Sequence, residues 1–80
     1  MKKQIPNNEI IIGNKSIERY VYSCLLALEK NQEIKVYSLE YVLPVANRVV
    51  ELLASCNIKV KEKSFKDNKF CFVLTKERKL

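Results

Sequence analysis

Residues 9–30 read EIIIGNKSIERYVYSCLLALEK, and this stretch holds a complete strand-turn-helix unit. Ile10, Ile11 and Ile12 form a β-branched run, bounded in front by Pro6-Asn7-Asn8 and behind by Gly13-Asn14. That is the pattern of a buried strand closed by a turn. Gly13 is the only glycine of the chain; at a strand exit it marks a backbone site that needs a positive φ or a close approach. Beyond it Ile17, Tyr20, Val21, Cys24, Leu25 and Leu28 recur at three- and four-residue steps, one unbroken apolar helical face. Asn14 or Ser16 is placed to cap the first turn and Asn31 to end the last. Lys15 stands between strand and helix, a cation beside the N–H groups of a helix N-terminus. An external anion would relieve that arrangement. The plainer reading of Lys15 is a solvated turn lysine.

Downstream, Asn31-Gln32 is a short turn, and Ile34, Val36 and Leu39 flank Lys35 and Tyr37. This predicts a second strand over Glu33 to Ser38 with one face buried. Leu39 to Val42 is ambiguous, while Pro44 suits a first helical turn, where its missing N–H costs little. Leu43, Ala46, Val49 or Val50, Leu53 and Cys56 keep helical spacing as far as Asn57, a left-handed stop. The helix they predict is apolar on more than one face, so it calls for contact on two sides. Packing on the sheet uses one side. A second subunit meeting Val45, Val49 and Leu52 is the expected cover for the other.

The last segment reads as a hairpin. Ile58, Val60 and Glu62 alternate with Lys59, Lys61 and Lys63, a half-buried strand with a lysine row on one face. Lys66-Asp67-Asn68-Lys69 has turn chemistry. In the returning strand Phe70, Phe72 and Leu74 alternate with Cys71, Val73 and Thr75, apolar on both faces, as a central strand should be. The element order is therefore β-α-β-α-β-β, an α+β two-layer sandwich with two helices on one face of a mixed four-stranded sheet. Residues 1–80 form one domain, with 1–8 and 77–80 expected to be loose.

Composition narrows the chemistry. The chain has 80 residues and a net charge of +6. The charge is uneven: residues 1–30 carry +2, residues 31–57 carry −1 and residues 58–80 carry +5. A basic end on a small domain points to a polyanionic partner, nucleic acid being the commonest. The competing view is that a lysine-rich hairpin is only a solubilising edge. No histidine is present, which removes His-based general-base chemistry and a histidine-bearing zinc site. One glycine excludes a P-loop or a dinucleotide fingerprint. Glu9, Glu18, Glu29 and Glu33 are scattered, and no enzymatic site, cofactor or metal is expected. Cys24, Cys56 and Cys71 show no CxxC spacing and lie within apolar patterns, so they read as small core residues in a reducing compartment. No apolar run approaches the length of a membrane span, and Met1-Lys2-Lys3-Gln4 leads into no signal-peptide core. A soluble, cytoplasmic protein without membrane contact is the expectation.

IIIGNKSIERYV resembles the opening of the Alba family of archaeal chromatin proteins, a strand ending in Gly, then lysine, then an amphipathic helix. The resemblance continues through EIKVYS, NIKVKEKSF and FCFVLTK, over residues 8–76. It implies an Alba-like fold and a dimer, homodimeric or heterodimeric with another Alba protein, that binds DNA and RNA with little sequence preference. It also implies that Asn14 and Lys15 at the first turn, with Lys63, Lys66 and Lys69 on the hairpin, contact the nucleic acid. The chain departs from the family in three places. Asn14 replaces one of two lysines, Leu39-Glu40-Tyr41 stands where a basic loop is common, and the hairpin arm is short. These departures support an alternative, an Alba-fold dimerisation or interaction module with weak or no nucleic-acid binding, a partner subunit of another Alba protein. Tyr22, Tyr37 and Tyr41 could stack on bases, although packing or an interface explains each of them more simply.

Overall fold

The apolar periodicities resolve into two helices laid over one face of a mixed sheet. The structure, a computed structural model, describes residues 8–77. The elements run β1 (Glu9–Ile11), α1 (Ile17–Lys30), β2 (Glu33–Leu39), a 3-10 turn (Glu40–Val42), α2 (Leu43–Ala54), β3 (Ile58–Lys66) and β4 (Lys69–Lys76). This is the β-α-β-α-β-β order that the sequence implies. The sheet order is β1-β2-β4-β3. β1 and β2 are parallel, and β4 pairs antiparallel with both β2 and β3. The hairpin's second strand therefore inserts between the two strands that α2 connects, the central place that its two apolar faces require.

One parity of each strand makes the core. Ile34, Val36 and Ser38 of β2 are buried and lie directly opposite Leu74, Phe72 and Phe70 of β4. Tyr20, Cys24, Ala27 and Leu28 of α1, with Ala46, Val49 and Leu53 of α2, close over them. Burying each of the larger apolar side chains contributes about 1.5–3 kcal/mol. The other parity, including Ile11, Lys35, Tyr37, Cys71 and Val73, faces away from the helices, and Ile11 is 64% exposed.

The ends of the elements follow local chemistry. Ser16 caps α1, its Oγ accepting the Arg19 N–H at 3.3 Å. Asn31 ends that helix in extended conformation, with its backbone and side-chain N–H groups both donating to the Ala27 carbonyl. Pro44 sits in the first turn of α2, and Asn57 takes the left-handed φ of 67° after it. Asp67 and Asn68 both have positive φ, a two-residue hairpin loop whose twist suits the flanking strands. Gly13 is not left-handed. A Cβ on it would lie 3.4 Å from the Tyr20 phenol oxygen, an ordinary contact, so neither a positive φ nor a forced close approach demands glycine there.

Three expectations are corrected. A β-bulge between Val60 and Glu62 interrupts the lysine row of β3. Beyond it the parity flips, and Lys63 falls opposite Phe72 on the helix side of the sheet. Val49 is completely buried in the chain's own core, so it anchors α2 and is not available to a partner. Cys56 is exposed in the turn after α2, because that helix ends at Ala54, one turn earlier than the spacing implies. At the two ends of the described residues, Asn8 accepts the Lys35 N–H and Glu77 N–H donates to the Asn57 carbonyl, each at 2.7 Å. The remaining expected loose ends lie outside the described residues.

Two outcomes follow from this packing. Val49→Glu puts a charge into a closed core and should abolish the cooperative thermal transition. The cysteines should separate by position. Cys24, its thiol pushed up to about 12 by burial, should react with a thiol reagent only on unfolding, and Cys56 at once. Cys24→Ala should cost about 1 kcal/mol or more, and Cys56→Ala less than about 0.5 kcal/mol, in denaturant melts.

Candidate nucleic-acid interface

The register of the sheet sets which loops meet. β1 runs alongside β2 with Ile11 opposite Tyr37, and β2 runs antiparallel to β4 with Leu39 opposite Lys69. The β1–α1 loop that carries Asn14 and Lys15, the 3-10 turn and the β3–β4 loop therefore all leave the same end of the sheet. Lys66 and Lys69 face each other directly across the Asp67-Asn68 turn. Like charges directly opposite destabilise a strand pair. Lys69 is drawn partly towards Tyr37, with Nζ 5.9 Å from the ring centroid.

Of the predicted cations, Lys15, Lys66 and Lys69 gather at this end, and all three are exposed. Asn14 is exposed beside Lys15. Lys63 stands apart on the opposite face of the hairpin, its Nζ 5.3 Å from the Phe72 centroid and 5.9 Å from that of Phe70. The bulge is the reason, and nothing in the plain alternation of residues 58–63 announces it. Lys61, at the bulge, is engaged in an ion pair with Glu33, a contact that also raises the lysine's pKa.

Arg19 is a cation that sequence reading passed over. Together with Lys15, Tyr20 and Tyr22 it lines a shallow cleft beside the first loop. Its signal was available, since it falls four residues after Lys15 and just past the Ser16 cap. Glu40 and Tyr41 occupy the same end of the sheet, and Tyr41 is 78% exposed. An acidic group and a free aromatic ring thus stand between the two basic loops.

Part of the backbone N–H set of the first loop is already engaged inside the chain. Gly13 and Lys15 both donate to Tyr20 Oη, at 2.6 and 2.8 Å, and Arg19 N–H is capped by Ser16. The N–H groups of Ile17 and Glu18, at the start of α1, have no acceptor among the described residues. On the open face, Tyr37 is shifted upward in pKa, by burial first and then by the Glu9 carboxylate.

The outer side of α2 is partly apolar. Val45 and Leu52 are half-buried, and Val60 and Phe65 of β3 are 38% and 53% exposed. Phe65 rests against Phe70 with ring centroids 4.5 Å apart. Among the described residues no cluster of three or more His, Cys, Asp or Glu could hold a metal ion. No helix there is long and apolar enough to cross a membrane.

No protein-family model and no curated protein sequence matches the chain. Its architecture is nonetheless shared with the crystal structure of ALBA1 from Trypanosoma brucei, at a TM-score of 0.84 and 24% sequence identity. The similarity covers 91% of this chain and 73% of that one. The source is a trypanosome, so the shared fold does not itself point to an archaeal origin. Two helices on a mixed four-stranded sheet, matched over nearly its whole length, give the chain an Alba-like fold.

Proposed function

We propose that the chain is a sequence-nonspecific DNA- or RNA-binding protein that acts as a dimer through a basic surface. The observation that carries this reading is the convergence of Lys15, Lys66 and Lys69 at one end of the sheet, with Arg19 beside them. The mutual repulsion of Lys66 and Lys69 would be relieved by a phosphate held between them. No helix is presented as a reader of base edges, so contacts would go to the backbone and be nearly indifferent to sequence. Lys63 would contribute from the other hairpin face, where a two-fold partner repeats every patch.

The dimer surface in this reading is the flank of α2 that carries the half-buried Val45 and Leu52, with Val60 and Phe65 of β3 as further exposed apolar groups. A stable interface buries roughly 1,200–2,000 Å². A second copy is the simplest occupant, and another Alba-fold subunit would fit by the same chemistry. Sedimentation should show a dimer at micromolar concentration. Leu52→Glu should release a folded monomer, an effect opposite in kind to the unfolding expected of Val49→Glu. A folded wild-type monomer at that concentration would refute the dimer.

Binding should weaken steeply with salt. About six phosphate contacts per dimer give a slope of log affinity against log salt of roughly −5 on duplex DNA. Lys15→Glu and Lys66→Glu should each weaken binding to all sequences and flatten that slope by about 1 for each phosphate no longer neutralised. Glu40 and Tyr41 favour the second reading, an interaction module with little affinity for nucleic acid. Absence of binding to duplex DNA and structured RNA even at low salt would establish that reading instead.

A further inference from the structure

The loop that presents Lys15 is held from inside the protein by one atom. Tyr20 Oη accepts the N–H of Gly13 at 2.6 Å and the N–H of Lys15 at 2.8 Å. The tyrosine itself is 6% exposed, with its ring in the core between the helices and the sheet. Its hydroxyl reaches the underside of the loop, beside Gly13. The two donated bonds bracket Asn14, so the peptide groups on either side of it are both fixed. Asn14 and Lys15 project outward from this fixed backbone and are exposed.

The ring and the hydroxyl of Tyr20 thus serve different ends. The ring fills core volume, which Phe would fill equally well. The hydroxyl satisfies two partly buried donors that have no other hydrogen-bond acceptor among the described residues. Without it those N–H groups must turn to water, and the loop loses its single conformation. A segment already ordered before association loses less freedom on binding.

We infer that Tyr20 is a positioning residue: its phenol presets the loop through which Asn14 and Lys15 meet a phosphate, without touching the nucleic acid itself. This rests on the nucleic-acid-binding reading above. It predicts a separation between affinity and charge. Loss of the hydroxyl removes no cation, so affinity should fall while the salt slope stays unchanged.

The test compares Tyr20→Phe and Lys15→Ala in the full chain, using one duplex DNA and one structured RNA across a salt series. Amide hydrogen exchange is followed at Gly13 and Lys15. For Tyr20→Phe we expect exchange at both amides to accelerate at least about tenfold. Affinity should fall about three- to tenfold for both nucleic acids at an unaltered slope. Lys15→Ala should instead flatten the slope and leave the Gly13 amide protected. The thermal transition of Tyr20→Phe, followed in parallel, should stay cooperative, which separates a loosened loop from an unfolded chain. Full affinity in Tyr20→Phe, with Lys15→Ala weakened, overturns the positioning role alone. Full affinity in Tyr20→Phe, Lys15→Ala and Lys66→Glu alike places the contact elsewhere and overturns the role of this loop. Absence of binding by the unaltered chain overturns the binding reading and the positioning role with it.

Discussion

The fold depends on β4 being hydrogen-bonded along both of its edges. β2 and β3 run in the same direction but do not touch, and only β4 joins them. Glu33 pairs with Thr75 and Leu39 with Lys69, contacts that span much of the chain. Phe72 and Leu74 provide the apolar centre on which both helices settle. Closing such nonlocal pairs costs chain entropy before packing offsets it. The helices have sound caps of their own, but an amphipathic helix gains most of its stability from the face it buries. Until β4 docks, neither α1 nor α2 has a complete floor.

Much of this was legible in the residues. Three isoleucines before the only glycine, and an unbroken apolar face after it, marked the first strand and helix. Apolar side chains on both faces of residues 70–75 marked a central strand. Asn57 marked a left-handed stop and Asp67-Asn68 a turn, because short polar side chains suit both; that Asp67 and Asn68 are themselves left-handed came only with the structure. What stayed hidden has a common cause. The bulge at Lys61 depends on strand pairing that no local pattern encodes, and with it went the side on which Lys63 stands. Val49 was indistinguishable from Val45 and Leu52 by hydropathy, since the rotation of α2 on the sheet, and nothing in its own sequence, determines which of them turns inward. Cys56 continued an apolar spacing past the point where the helix stops.

The candidate site was legible in its membership more than in its arrangement. Lys15, Lys66 and Lys69 could be named from their turns, but their common location follows from the parallel register of β1 on β2 and the antiparallel register of β2 on β4. Arg19 was passed over because it sits inside a helical stretch dominated by its apolar face. Tyr20 was read as a core residue, and its ring is one. Its hydroxyl had no visible role until the loop was seen folded over it.

The bulge at Lys61 has a further effect on how copies of the chain meet. β3 is an edge strand of nine residues, long enough to template a foreign strand. An extra residue in mid-strand, an ion pair to Glu33 across the sheet and a succession of lysines make that edge irregular and charged. At the other border β1 is only three residues long. Neither border favours continuous sheet extension, the open-ended geometry from which fibres grow. Any copy of the chain that met another would therefore have to do so through side chains, the kind of contact that can close on itself at a finite size, and not through sheet hydrogen bonds.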